Sequence, residues 1–261
     1  MAQAPYTFPQ SSLPDSVMQQ AAQYQLGNFR KEYLPSFSNP LVIAGILVGS
    51  IVLDIAVLIW LVIALNLISF YLLAIPIIAL IWAINAFKHA NWRIYVFSEG
   101  YIHTRGSQFD IFRWDQIQAV YVHIVQTRAR SGMKLTFQVR RNDGTLLKYG
   151  SAIKGVGELG TIIQESVTRV QLPRVIEAFN GGAQMPFGML NVSQRGLNDG
   201  KKIIPWEQID TIEVHQNKVA LRQNGRVQTL GGVKASELPN FNLLMSLVNY
   251  VVQGRRTQNY R

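Results

Sequence analysis

The chain has 261 residues, no cysteine and a formal net charge of +10, with 25 Lys and Arg against 15 Asp and Glu. Hydrophobic residues reach 48% and charged residues only 15%, well under the ~25% charged share usual in soluble chains. The length allows roughly two domains. Without cysteine, a disulfide scaffold, thiolate metal sites and cysteine nucleophiles are excluded. The basic balance points to an anionic partner: nucleic acid, a membrane surface or an acidic protein.

Residues 1–40 begin rich in Pro, Gln and Ser and read as a mostly flexible segment. Within 15–34, Asp15 or Ser16 could cap a short helix carrying Val17, Met18, Ala22, Phe29 and Tyr33 at helical spacing, weakened by Gly27. Such a helix would suit a membrane surface. A flexible leader is the competing reading.

Residues 41–87 carry one charge, Asp54. As a single helix they would run about 70 Å, against a hydrocarbon core of about 30 Å. Two antiparallel passes fit, at about 41–64 and 70–87, with a tight turn between them. No soluble core helix needs so long an uncharged run. The apolar run starts 40 residues in and lacks a basic leader, so a cleaved signal peptide is not expected. Arg30 and Lys31 precede the first pass, Lys88 and Arg93 follow the second, and the turn is uncharged. The positive-inside rule then predicts a multi-pass protein of the cytoplasmic membrane with both termini in the cytoplasm.

Inside the apolar run, Gly45 and Gly49 form a GxxxG that lets helix backbones approach closely. A turn centred near position 66 would set Gly49 opposite Ala83, one helical turn from Ala79. Packing within the pair explains the motif, and homodimerisation is the sharper alternative. Asp54 lies about 180° from Gly45 around the helix, with no polar residue at its level in the second pass. It reads as a neutral buried acid, as a contact to another chain, or as a conduction element.

Residues 88–261 carry 23 basic against 12 acidic residues, so the positive charge belongs to this part. It repeats itself. FRWDQIQAVYV at 112–122 aligns with IPWEQIDTIEV at 204–214, and each copy ends in an amphipathic helix. Ser98 and Gly100 correspond to Ser193 and Gly196. In the first copy, strands are predicted at RIYVFS, YIHTR, FDIFRW, AVYVHIVQ, LTFQVRR and TLLKYG, with Asn142-Asp143-Gly144 a strong hairpin signal. The second copy predicts strands near 186–194, 201–206, 209–216, 218–223 and 226–230, then a helix over about 237–252. Trp114 and Trp206 read as strand-end core anchors, each followed by an acidic turn residue and then by Ile117 or Ile209, which restart the apolar alternation.

The order Phe112-Arg113-Trp114-Asp115-Gln116-Ile117, Pro186-Phe187-Gly188, Pro205-Trp206 and Pro239-Asn240 resembles an uncharacterised bacterial family of membrane-anchored proteins with tandem pleckstrin-homology-like (PH-like) domains. The resemblance spans most of 92–252. It implies an α+β membrane protein: a two-helix transmembrane hairpin followed by two PH-like antiparallel β-sandwich or barrel domains, over 90–180 and 183–254, each closed by a C-terminal helix. Residues 255–261 form a basic tail. PH-like folds commonly bind lipid head groups or peptides, often through loops between early strands.

Chemical signatures are sparse. There is no HExxH, GxSxG or P-loop, and the histidines at 89, 103, 123 and 215 are not at ligand spacing. Gly155, Gly157 and Gly160 match GxGxxG, but a dinucleotide site also needs a second parallel strand ending in an acid. No catalytic residue, cofactor or metal is therefore expected. The basic candidates for an anionic lipid or protein partner are Lys88 and Arg93 beside the membrane, and Arg128, Arg130 and Lys134 in the densest basic loop. No long basic stripe with exposed aromatics favours nucleic acid. The expected role is a non-enzymatic membrane protein presenting its cytosolic part for protein interaction or homo-oligomeric assembly, with anionic-lipid binding as the alternative.

Overall fold

A computed structural model describes residues 13–36, 40–65, 74–126, 133–215, 217–223 and 225–258. The first described element is helix α1, Asp15–Gln23, which buries Val17 and Ala21. It ends where Gln25 adopts a left-handed φ of 52°. There the Leu26 amide donates back to the Ala21 carbonyl at 2.9 Å and the Gln25 amide to that of Ala22 at 3.1 Å. This double closure satisfies the last carbonyls and folds Leu26 onto the helix. The helix thus stops well short of residue 34, and Phe29–Tyr33 forms strand β1.

Two apolar helices follow, α2 over Pro40–Leu65 and α3 over Ala74–Ala90. They meet through Ile43, Ala83 and Ala86, with Leu47 and Trp82 alongside. The chain then builds β2 (Trp92–Phe97), β3 (Gly100–Arg105) and β4 (Gln108–Arg113). These join β1 in an antiparallel sheet of order β1-β2-β3-β4. A second sheet consists of β5 (Ile117–Gln126), β6 (Met133–Arg141) and β7 (Leu146–Tyr149).

The β2 residues Ile94 to Phe97 are all buried, as is β3 from Gly100 to Thr104. A strand with one wet face alternates; continuous burial means both faces are covered. One face carries Ile94, Val96, Tyr101 and Phe112 into a core shared with β5–β7. The other carries Tyr95, Phe97, Ile102 and Ile111 against Val17, Ala21 and Leu26. The segment read as a flexible leader therefore supplies both an edge strand and a lid.

Helix α4, Val156–Asn180, serves two cores. Leu159, Ile163 and Val167 close the first, while Phe179, with Leu172, Val175 and Ile176, belongs to the second. The second is built from β8 (Met185–Phe187), β9 (Leu190–Ser193), β10 (Gly196–Asn198) and β11 (Ile203–Ile204). It continues with β12 (Thr211–His215), β13 (Lys218–Gln223), β14 (Arg226–Lys234) and helix α5, Phe241–Gln258. The run expected as one strand near 186–194 is a hairpin of β8 and β9, turned at Gly188 with φ 64°.

The expected architecture needs correcting. Among the described residues only one helix is long and apolar enough to cross a membrane, over Leu41–Trp60 with mean hydropathy 2.7. Helix α3, whose described residues number 17, is not a second such helix. Its last turn already carries Lys88 and His89. Among the described residues a two-helix transmembrane hairpin is therefore not evident. Nor do two self-contained PH-like barrels: the β-rich part is α+β with four small antiparallel sheets, one of which takes its edge strand from ahead of the apolar helices.

Candidate functional site

Along the outer face of the first sheet, α1 covers the end carrying Phe97, Ile102 and Ile111. The other end is left open where α3 passes into β2. A cleft of about 550 Å³ lies there, bounded by the start of α1, β1, the end of α3 and β2–β4. Its polar groups are Ser16, Glu32, Asn91, Arg93, Tyr95 and Thr104. Register explains the grouping. Arg93 and Tyr95 are two apart on β2 and share a face; Thr104 pairs with Arg93, and Glu32 with Tyr95.

The Arg93 guanidinium donates to Glu32 Oε1 at 2.8 Å. The two side chains are 51% and 32% exposed, so the pair contributes little stability while remaining open to a ligand. The bond to Glu32 raises the arginine's pKa. Burial, and then the nearby Glu32 charge, push the Tyr95 hydroxyl upward, which keeps it a neutral donor. Thr104 Oγ1 donates to the Arg93 carbonyl at 3.3 Å. The cleft wall thus presents one cation and one anion held side by side.

The residues singled out in the sequence fall in several places. Arg93 is in the cleft, but Glu32 balances its charge. Lys88 is exposed on the last turn of α3. Arg128 and Arg130 lie outside the described residues. Lys134 sits on β6 in register with Val125, and its side chain is not among those described. Gly45 and Gly49 are exposed, and a Cβ on either would meet nothing within 4 Å among the described residues. Among the described residues, helix contact runs instead through Ile43, Ala83 and Ala86, and the GxxxG makes no contact with α3. Ala79 lies within α3. Asp54 is 7% exposed and its Oδ1 has no hydrogen-bond partner among the described residues.

Trp114 and Trp206 are buried in short 3-10 turns. Their indole N–H groups donate to the Ser98 carbonyl at 3.0 Å and the Ser193 carbonyl at 2.9 Å. Gly100 and Gly196 match as well: a Cβ on either would collide with a carbonyl oxygen, of Phe112 and Ile204 respectively. Ile117 and Ile209 are buried beside the two rings. The two halves use the same local device to anchor a strand end.

A second polar cluster lies inside the first core. His103 is 1% exposed, and neither ring nitrogen has a hydrogen-bond partner among the described residues. Asp110 Oδ2 stands 3.7 Å from Nδ1, and the rings of Trp92 and Tyr149 meet it edge-on at 4.9 and 5.5 Å. Burial lowers its pKa to about 4, against the opposing pull of Asp110; desolvation dominates because the ring is sealed. Its neighbour Tyr149 donates to the Tyr101 hydroxyl at 3.2 Å. The cluster reads as a packed aromatic core.

The GxGxxG stretch has a packing cause. Gly155 precedes α4 with φ 74°, and Gly160 lets Phe137 of β6 lie against the helix backbone. The neighbouring strands β6 and β7 are antiparallel, unlike a dinucleotide fold. Among the described residues no group of three His, Asp or Glu side chains is placed to hold a metal ion.

The chain belongs to the family of unknown function DUF6585, whose pattern matches residues 1–257. No curated protein matches it.

Proposed function

We propose that this is a non-enzymatic binding protein anchored in the cytoplasmic membrane, with α2 embedded in lipid and the β-rich body presenting its surfaces to a partner at the inner face. One observation carries the reading. The apolar window Leu41–Trp60 is only 11% buried, whereas a core helix of a soluble protein is mostly covered. Leu41, Val52, Leu53 and Ile63 are each at least 60% exposed, and each such side chain left in water forgoes about 1.5–3 kcal/mol of burial. Lipid removes that cost.

Strand pairing constrains how such an anchor is used. β1 pairs directly with β2, so the segments before α2 and after α3 lie on one side of any bilayer that α2 enters, and α2 embeds from that side without by itself carrying the chain across. The basic residues Arg30, Lys31, Lys88 and Arg93 fall on that side, the arrangement the positive-inside bias favours for the cytoplasm. Because Arg93 is paired with Glu32, it is a weak lure for a purely anionic lipid, which favours the interaction reading.

The test is alkaline carbonate extraction of native membranes. The chain is expected to stay in the pellet, and a variant with Val48, Val52, Ile59 and Ile63 all replaced by Ser to move to the supernatant. Recovery of the unaltered chain in the soluble fraction would overturn the anchor.

A further inference from the structure

We propose that the cleft at the end of α3 is a binding site for the head group of a zwitterionic phospholipid bearing a primary amine, phosphoethanolamine. The inference rests on the membrane reading above for the source of the ligand. Its own basis is the ion pair on the cleft wall.

At about 550 Å³ the cleft falls within the roughly 300–1,000 Å³ typical of small-molecule sites. Its charged groups are Arg93 and Glu32, in contact at 2.8 Å and both partly exposed. An anionic ligand that took Arg93 would leave the Glu32 carboxylate facing like charge. A ligand carrying phosphate and ammonium a few bonds apart meets both: phosphate oxygens accept from the guanidinium, and the ammonium donates to the carboxylate. Each protein charge exchanges one opposite partner for another. Tyr95 and Asn91 add neutral polar groups to the same wall.

The amine must be primary. Glu32 accepts hydrogen bonds, which an N–H group can donate and a trimethylammonium cannot. Recognition of choline calls instead on aromatic faces, and among the described residues the cleft's aromatic side chains are Tyr95 and Phe109. Position selects lipid as the source. Ala90, the last residue of α3, and Asn91 just after it line the cleft, so the site opens where the apolar helices give way to the polar body.

The experiment uses the full chain in non-ionic detergent. Its thermal unfolding is followed against dihexanoyl lipids with ethanolamine, choline or glycerol head groups, each below its critical micelle concentration. The ethanolamine lipid is expected to raise the melting temperature in a saturable way, by several degrees at a hundredfold excess over Kd, and the other two to have little effect. Arg93→Gln and Glu32→Gln should each abolish the selectivity, while Arg93→Lys, which keeps the cation, should retain part of it. Should either Gln variant prove unstable, the Lys variant and isothermal titration of the unaltered chain still decide. An equal or larger response to the glycerol lipid, or retained ethanolamine selectivity in Glu32→Gln, overturns the proposal. So does saturation by glycerophosphoethanolamine as tight as by the lipid, which would make the ligand soluble. These measurements are made in detergent, so they read the cleft alone; carbonate extraction separately reads the anchor.

Discussion

The side chain of Asn240 is bonded into the edge of β5 around Val120. Its Oδ1 accepts from the Val120 amide at 2.8 Å, its Nδ2 donates to the Gln118 carbonyl at 2.9 Å, and its own backbone amide donates to the Val120 carbonyl at 2.9 Å. One residue at the start of α5 thereby completes the ladder of a strand 120 positions earlier, and couples the two cores that α4 also links.

Replacing Asn240 by Ala leaves the buried Val120 amide unpaired, an expected loss of about 2–3 kcal/mol. Asn240 also holds a left-handed φ of 51°, which Gly adopts freely and Ala does not. Asn240→Gly should therefore cost less than Asn240→Ala by about 1 kcal/mol. Chemical denaturation in detergent, followed by tryptophan fluorescence, measures both.

His103 sets an acid limit. Its folded pKa of about 4 lies below the ordinary 6.5, so the unfolded chain takes up the proton first. The contribution is fully present above about pH 6.5 and is lost as pH falls toward 4, amounting to roughly 3 kcal/mol. Asp110, Arg105 and His89 are the charged or titratable groups acting on it. His103→Phe should flatten the stability profile between pH 6.5 and 4, as read from melting temperatures across that range.

Gly160 is required by Phe137. A Cβ at 160 would sit within the phenylalanine ring, and the ring is fully buried beneath α4. Gly160→Ala should destabilise by about 3 kcal/mol through overpacking. Adding Phe137→Leu should recover part of that loss, because the smaller side chain vacates the space. Failure of the second change to help would place the glycine's role elsewhere than in packing. Gly157, whose Cβ would meet only Leu135 at 3.6 Å, should tolerate Ala.

The legibility of this chain in its sequence divides by the range of the interactions. β2 to β7 follow short apolar or alternating runs bounded by turn residues, which are local. The Trp114 and Trp206 turns were legible too, since both copies repeat the same few residues. The role of 29–33 was not: FRKEY carries three charges in five residues and looks like loop, because it forms an edge strand in which only Tyr33 is buried. An indirect signal existed in IYVF at 94–97, whose unbroken apolar run demands a cover on both faces. Half of the candidate cleft was visible as Arg93, but Glu32 and Tyr95 carried no mark, since neither belongs to a recognisable motif.

By itself the sequence determined that an apolar helix of membrane length exists, that the chain's positive charge follows it, and that two Trp-centred strand ends recur. Each depends on neighbours within a turn or a hairpin. Only the tertiary structure decided that residues 29–33 pair with 94–97 across the apolar helices, and that Arg93 is neutralised by Glu32. Those outcomes turn on register between segments some sixty residues apart. Local periodicity does not encode them, because the free energy that selects them comes from burying two faces of one sheet at once.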